Sequence, residues 1–167
     1  MRKRRRSAFT LIELLVVMAI IGILAGFVVA ALKSMKRQAK VTRAASEVKQ
    51  IRDAWSMYVV DYKHFVCGEM TEMDVEAVQT MTGNNTTNNP KKKSYMDFKD
   101  STQWFCDPWG DKDTGQGAYR LVFDTDLDGK VAHPDTGEIV PVHVIVWSCG
   151  EDGVSGTQDD VNSWSQR

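Results

Sequence analysis

Residues 6–32 read RSAFTLIELLVVMAIIGILAGFVVAAL, and every other segment of the chain is best read outward from them. Five cations, Arg2, Lys3, Arg4, Arg5 and Arg6, lead directly into the apolar run, whose only charge is one carboxylate, Glu13. Leu14 to Leu32 is 19 consecutive uncharged residues. At helical rise such a run reaches about 28 Å, close to the thickness of bilayer hydrocarbon. A carboxylate in a membrane helix costs roughly 2.5 kcal/mol or more at the bilayer centre and less toward the interface, so Glu13 is expected to have a partner. A cleavable secretory signal would have an apolar core of about 7–15 residues ending in an A-x-A-like site. This core is longer and runs on into a helical pattern. Cations preceding a span stay in the cytoplasm, which puts the C-terminal part on the far side of the membrane.

The helix is expected to outlast the span. No proline occurs between Phe9 and Phe65, and apolar residues recur at Ala44, Val48, Ile51, Trp55, Tyr58 and Tyr62. That is helical spacing, with Arg43, Glu47, Lys49, Gln50, Arg52 and Asp53 forming a polar face. The pattern predicts one helix over residues 9–63. Gly22, Gly26 and Ala30 repeat every four residues, which lets membrane helices approach closely, although glycine is also common in such helices for no specific reason.

Beyond it, residues 67–81 fit a second, short helix, and GNNTTNNPKKK at 83–93 is a loop by composition, its three lysines (Lys91 to Lys93) a solvated run. WFCDPWG at 104–110 reads as a turn into a sheet, and 118–123 and 142–147 are rich in β-branched and aromatic residues, as strands are. The fold class expected is α+β: a long N-terminal helix, half membrane-borne and half amphipathic, packed on a small antiparallel sheet.

Charge and chemistry narrow the function. The chain has 167 residues and net charge −1; setting aside the five leading cations leaves 16 basic against 22 acidic residues, a net of −6. A mildly acidic domain of about 130 residues argues against nucleic acid as partner. Cys67, Cys106 and Cys149 match no zinc spacing. In an exported domain a Cys67–Cys106 bridge and buried free thiols both stay open. His64, His133 and His143 are scattered and Ser148 lacks a G-x-S-x-G context, so no catalytic role is expected. The richest chemistry is acidic. SCGEDGVSGTQDDVNSW at 148–164 gathers Asp152, Asp159 and Asp160 in a glycine-rich loop, a donor set suited to calcium or else a solvated acidic tail. DTDLDGKVAHPD at 124–135 puts Asp124, Asp126, Asp128 and Gly129 at positions 1, 3, 5 and 6 of an EF-hand loop. Its twelfth residue is Asp135 rather than Glu and no flanking helices are evident, so a turn competes with a second calcium site.

The basic leader, FTLIELLVVMAIIGILA and the DPWG…AYRLVF segment resemble the type IV pilin-like family, and within it the major pseudopilins of type II secretion. The resemblance implies a basic leader at 1–8, a membrane and assembly half-helix at 9–32, an amphipathic half at 33–65, a variable region at 66–117, and a sheet with calcium loop at 118–167. It implies cleavage by the prepilin peptidase between Ala8 and Phe9, methylation of the new Phe9 amine, and an assembly role for Glu13. The family usually has Gly where Ala8 stands and often a proline in the membrane half; this chain also inserts DKDTGQGAY after DPWG. In the C-terminal loop the resemblance assigns calcium to the side chains of Asp152, Asp159 and Asp160 and the carbonyls of Cys149, Val154 and Ser163, with Trp164 packed over the loop. The implied role is a non-enzymatic filament subunit, anchored once in a bacterial inner membrane with its C-terminal domain in the periplasm. Its partners would be further copies of itself, the prepilin peptidase, minor pseudopilins, the inner-membrane assembly platform and membrane lipid. A type IV pilin for adhesion, DNA uptake or motility, and an anchored calcium-binding protein that never polymerises, are the alternatives.

Overall fold

Helix α1 runs unbroken from Leu11 to Tyr62, 52 residues, in a computed structural model that describes residues 10–64 and 72–165, side chains at 28–30 excepted. The chain divides into two units, 1–39 and 40–167. The first consists, where described, of the apolar part of α1. Thr10 opens the helix: its N–H and hydroxyl both donate to Glu13 Oε2 at 2.9 Å, and Glu13 N–H returns a 3.3 Å bond to Thr10 Oγ1. This reciprocal capping satisfies helix-end N–H groups that have no acceptor within the helix. From Leu11 to Phe27 the large apolar side chains are exposed, and the helix is long and apolar enough to cross a membrane.

The second unit is an α+β domain. The part of α1 after Lys40 buries Ala44, Val48, Ile51, Ala54, Trp55 and Tyr58, the stripe its helical spacing requires. Trp55 is the centre: fully buried, edge-on to both Tyr58 and Phe123, with its indole N–H 3.4 Å from Met73 Sδ. Helix α2 is shorter than the sequence suggests, Val75–Thr82, because Asp74 caps its start through the Ala77 N–H and Gly83 ends it in the left-handed conformation. The 83–93 loop is indeed irregular and its lysines exposed, but it is tied to α1: Lys93 pairs with Asp61 at 2.6 Å, and Lys91 lies over the Tyr62 ring.

The sheets follow. β1 (Cys106–Asp111) and β2 (Gln116–Ala118) form a bulged hairpin. The DPWG segment is therefore strand and not only turn; a two-stranded, bulged ladder tolerates Pro108, which has no N–H to pair. Gly110 is required there, since a Cβ would lie 2.4 Å from the Gln116 carbonyl oxygen. β3 (Arg120–Phe123) pairs antiparallel with β6 (Val144–Ser148), and β6 with β7 (Val161–Asn162), giving the order β3-β6-β7. β4 (Val131–Ala132) and β5 (Ile139–Val140) make a small hairpin between β3 and β6. One sheet face meets α1 and α2; the other carries a smaller cluster of Val131, Val140, Ile145, Trp147 and Cys149 with Trp164 against it. Hydrogen bonds also tie α1 to the segments flanking the sheet. The fully buried Tyr119 donates its hydroxyl to Glu47, which also accepts from Arg43 at 2.9 Å. Arg52 donates to the Ser163 carbonyl at 2.8 Å, and Ser163 bonds Val146 through its own N–H and through Oγ.

Candidate functional site

Ala8 and Phe9 lie outside the described residues, as does Cys67. Glu13 is the first charge of the described helix, and one of its oxygens is committed to the Thr10 cap. Cys106 and Cys149 are buried free thiols, each pushed up to about 11, chiefly by burial.

The C-terminal loop between β6 and β7 is held together by its own carboxylates. Asp159 Oδ2 accepts the N–H groups of Glu151 and Asp152, Asp152 Oδ1 accepts that of Val154, and Asp160 Oδ2 accepts that of Gly156. Three oxygens, Val154 O, Asp159 Oδ1 and Asp160 Oδ1, converge on Thr157 Oγ1 at 3.2, 2.7 and 3.3 Å. A hydroxyl has one proton for three acceptors, so this point is oxygen-rich and short of positive charge. Val154 O, Asp159 and Asp160, three of the six groups assigned from sequence, meet there as hard oxygen donors suited to a hard cation, and residues 149–164 contain no Lys or Arg; Asp152 is turned instead to the Val154 N–H. Bonding from Thr157 foremost, then from the two loop N–H groups, holds the Asp159 carboxyl below its usual range, whereas burial pushes Asp160 up. The Ser163 carbonyl instead accepts from the Arg52 guanidinium, and Cys149, directly after β6, begins the loop. The role of Thr157 escaped the sequence reading, as did that of Arg52, which was placed only on the polar face of the helix. Thr157 could have been found as the only threonine in the loop; Arg52, 111 residues from Ser163, left no trace.

The second acidic segment connects β3 to β4. Among the described residues it is the one place where three carboxylates, Asp124, Asp126 and Asp128, have oxygens within 4.8 Å of one another. Asp124 is buried and accepts from Gly129 N–H at 2.8 Å, beside His143 Nδ1 at 2.7 Å. Burial opposes its charge, but those bonds outweigh it and hold the carboxyl below its ordinary value. Asp135, twelfth residue of the EF-hand-like pattern, is directed elsewhere, its Oδ2 accepting from Ser155 Oγ at 2.5 Å.

An apolar N-terminal helix continued into a helix-on-sheet domain defines a pilin-like, membrane-anchored subunit. Residues 3–29 match the prokaryotic N-terminal methylation motif. The chain is 32% identical over 165 residues to the type II secretion system core protein G of Aeromonas hydrophila, covering 99% of this chain and 96% of the relative. It is 30% identical over 161 residues to the protein of that name from Escherichia coli (96% and 92% covered), and 40% identical over 111 residues to that of Pseudomonas aeruginosa (66% and 72%). No solved structure matches it. The chain belongs to the type II secretion system core protein G family, the major pseudopilins.

Proposed function

We propose that this chain is the structural, non-catalytic subunit of a periplasmic pseudopilus, polymerising with copies of itself to drive protein export. The similarity across 99% of the chain to a secretion core protein carries the reading. The precursor waits in the inner membrane as a single-pass protein, leader in the cytoplasm and C-terminal domain in the periplasm. The prepilin peptidase cuts between Ala8 and Phe9, and the Phe9 amine is methylated. The assembly platform and minor pseudopilins then take up the subunit. The new amine is a cation four residues before Glu13 in the chain and can pair with Glu13 of the same or a neighbouring subunit; at an effective dielectric near 20 such a pair gains several kcal/mol, much of it offset by desolvation. Pairing with a neighbouring subunit would neutralise Glu13 as the helix leaves lipid and fix axial register.

Calcium belongs to this proposal. The side chains of Asp152, Asp159 and Asp160 and the Val154 carbonyl would hold it, with the Cys149 carbonyl beside them; the Ser163 carbonyl joins only by sharing with Arg52. The ion would supply the positive charge that Thr157 alone cannot. An affinity near 10⁻⁴ M would suffice outside the cytoplasm. The Asp124 group is a candidate for a second, weaker ion.

The test is mass spectrometry of the N-terminal peptide from membrane-extracted protein, paired with electron microscopy of sheared filaments. A methylated Phe9 terminus is expected, with filaments lost in Glu13→Ala while the subunit stays in the membrane. An intact leader in cells with active peptidase would favour the anchored, non-polymerising alternative, and normal filaments from Glu13→Ala would remove the pairing.

A further inference from the structure

The β4–β5 hairpin is attached to the C-terminal loop by its tip. Asp135 Oδ2 accepts the Ser155 hydroxyl proton at 2.5 Å, and Ser155 Oγ in turn accepts the Trp147 indole N–H at 2.9 Å. Ser155 thereby bridges strand β6 and the hairpin. One residue on, Gly156 sits against the tip: a Cβ there would lie 3.5 Å from Asp135 Cβ and 3.7 Å from Thr136 Cγ2. Gly156 N–H is the donor that holds Asp160 Oδ2 at 2.7 Å. The tip itself is braced from within. His133 is buried, its Nδ1 accepts the N–H groups of Asp135 and Thr136 at 3.2 and 3.3 Å, and its ring packs on Trp147 and Trp164 with centroids 4.5 and 5.6 Å away. An unbroken set of contacts therefore runs from His133 through Asp135 and Ser155 to the peptide that orients Asp160.

We propose that Asp135 is a positioning residue for the C-terminal acidic loop: from the hairpin tip it fixes Ser155 and Gly156, and so presets Asp160 and Thr157 for a hard cation. The cation itself rests on the calcium reading above; the preset loop does not. Asp135 acts by accepting a hydrogen bond and not by its charge, so an amide should replace it. A carboxylate ligand would behave differently, since Asn in its place removes the charge the ion needs.

The experiment uses the full chain in detergent micelles, as wild type, Asp135→Ala and Asp135→Asn. Hydrogen exchange of the Gly156 and Asp152 amides is followed in EDTA, and calcium affinity is measured by calorimetric titration. Loss of one side-chain hydrogen bond is worth about a fivefold to tenfold effect. Asp135→Ala is expected to speed exchange at Gly156 by that factor and to weaken calcium by a similar factor, with Asp135→Asn close to wild type in both. Asp135 is exposed, so the Ala variant should keep its fold, and unchanged exchange at Val146 amide checks this. Unchanged exchange at Gly156 in Asp135→Ala overturns the proposal, as does an Asp135→Asn that is as impaired as Ala. A wild type that binds no calcium at millimolar concentration overturns the calcium reading alone, because the exchange result still decides the role of Asp135.

Discussion

Replacing Tyr119 by Phe isolates the link between α1 and the sheet. The ring is fully buried and would stay so; only the hydroxyl that donates to Glu47 is lost. Glu47 keeps Arg43 at 2.9 Å, and its side chain is 15% exposed, so water only partly replaces the missing donor. A hydrogen bond to a charged group contributes about 1.5–3 kcal/mol, and the residual exposure argues for the lower half, about 2 kcal/mol. For a folding unit of this size each kcal/mol moves the melting midpoint by about 3–4 °C, giving a fall of about 7 °C. Thermal unfolding of the full chain in micelles, followed by near-ultraviolet circular dichroism, reads it directly. Glu47→Gln and the double variant complete a cycle that separates the bond from the packing, since residues in direct contact are not additive. A Tyr119→Phe midpoint within about 1 °C of wild type would refute the argument: the Glu47 carboxylate would then be hydrated well enough that the Tyr119 donor adds nothing.

Other consequences concern pH, thiols and the ion. Burial raises Asp107 despite bonds from Ser148, Trp109 and Gly110, so its contribution to stability is greatest at low pH and is lost as pH rises through its folded value. Asp107→Asn should therefore melt higher relative to wild type at pH 7 than at pH 4; a difference independent of pH would remove the buried charge as its cause. The Cys106 and Cys149 thiols, both raised to about 11, should react with maleimide at pH 8 at least about tenfold slower in the fold than after denaturation, as judged by mass spectrometry. Labelling at equal rates would mean that they are accessible. Asp160 is also raised by burial, so Asp160→Asn in EDTA at pH 7 should melt at or above wild type yet lose any rise in midpoint on adding calcium. A calcium-dependent rise that survives the substitution would take Asp160 out of the ligand set.

The long helix was legible because its pattern is local and redundant: Ala44, Val48, Ile51, Trp55 and Tyr58 fall on one stripe and no proline interrupts it. The β3–β6 pair was legible for a similar reason, from β-branched and aromatic residues in short runs. Composition misdirected the reading at 106–111, where Pro108 and Gly110 point to a turn although close backbone packing in a bulged hairpin is what demands the glycine. The hairpin of β4 and β5 left no period to detect, each strand being two residues long. In the acidic loop the carboxylates were visible as a cluster, but their order was not. Which oxygens meet at Thr157, and that the Ser163 carbonyl turns to Arg52, depends on contacts between distant segments that no spacing rule encodes.

Ser163 has a consequence for the timing of folding. It ties the last strand to β6 through two bonds with Val146, and its carbonyl is held by Arg52 on the helix, 111 residues earlier in the chain. β7 is the last of the described strands to emerge during synthesis, and until it does the β6 edge is unpaired and Arg52 has no carbonyl to hold. Closure of the domain thus waits for β7, the last of its described strands. A chain made from its N-terminus therefore has its long helix complete while its globular part is still open, and it locks only when Ser163 arrives.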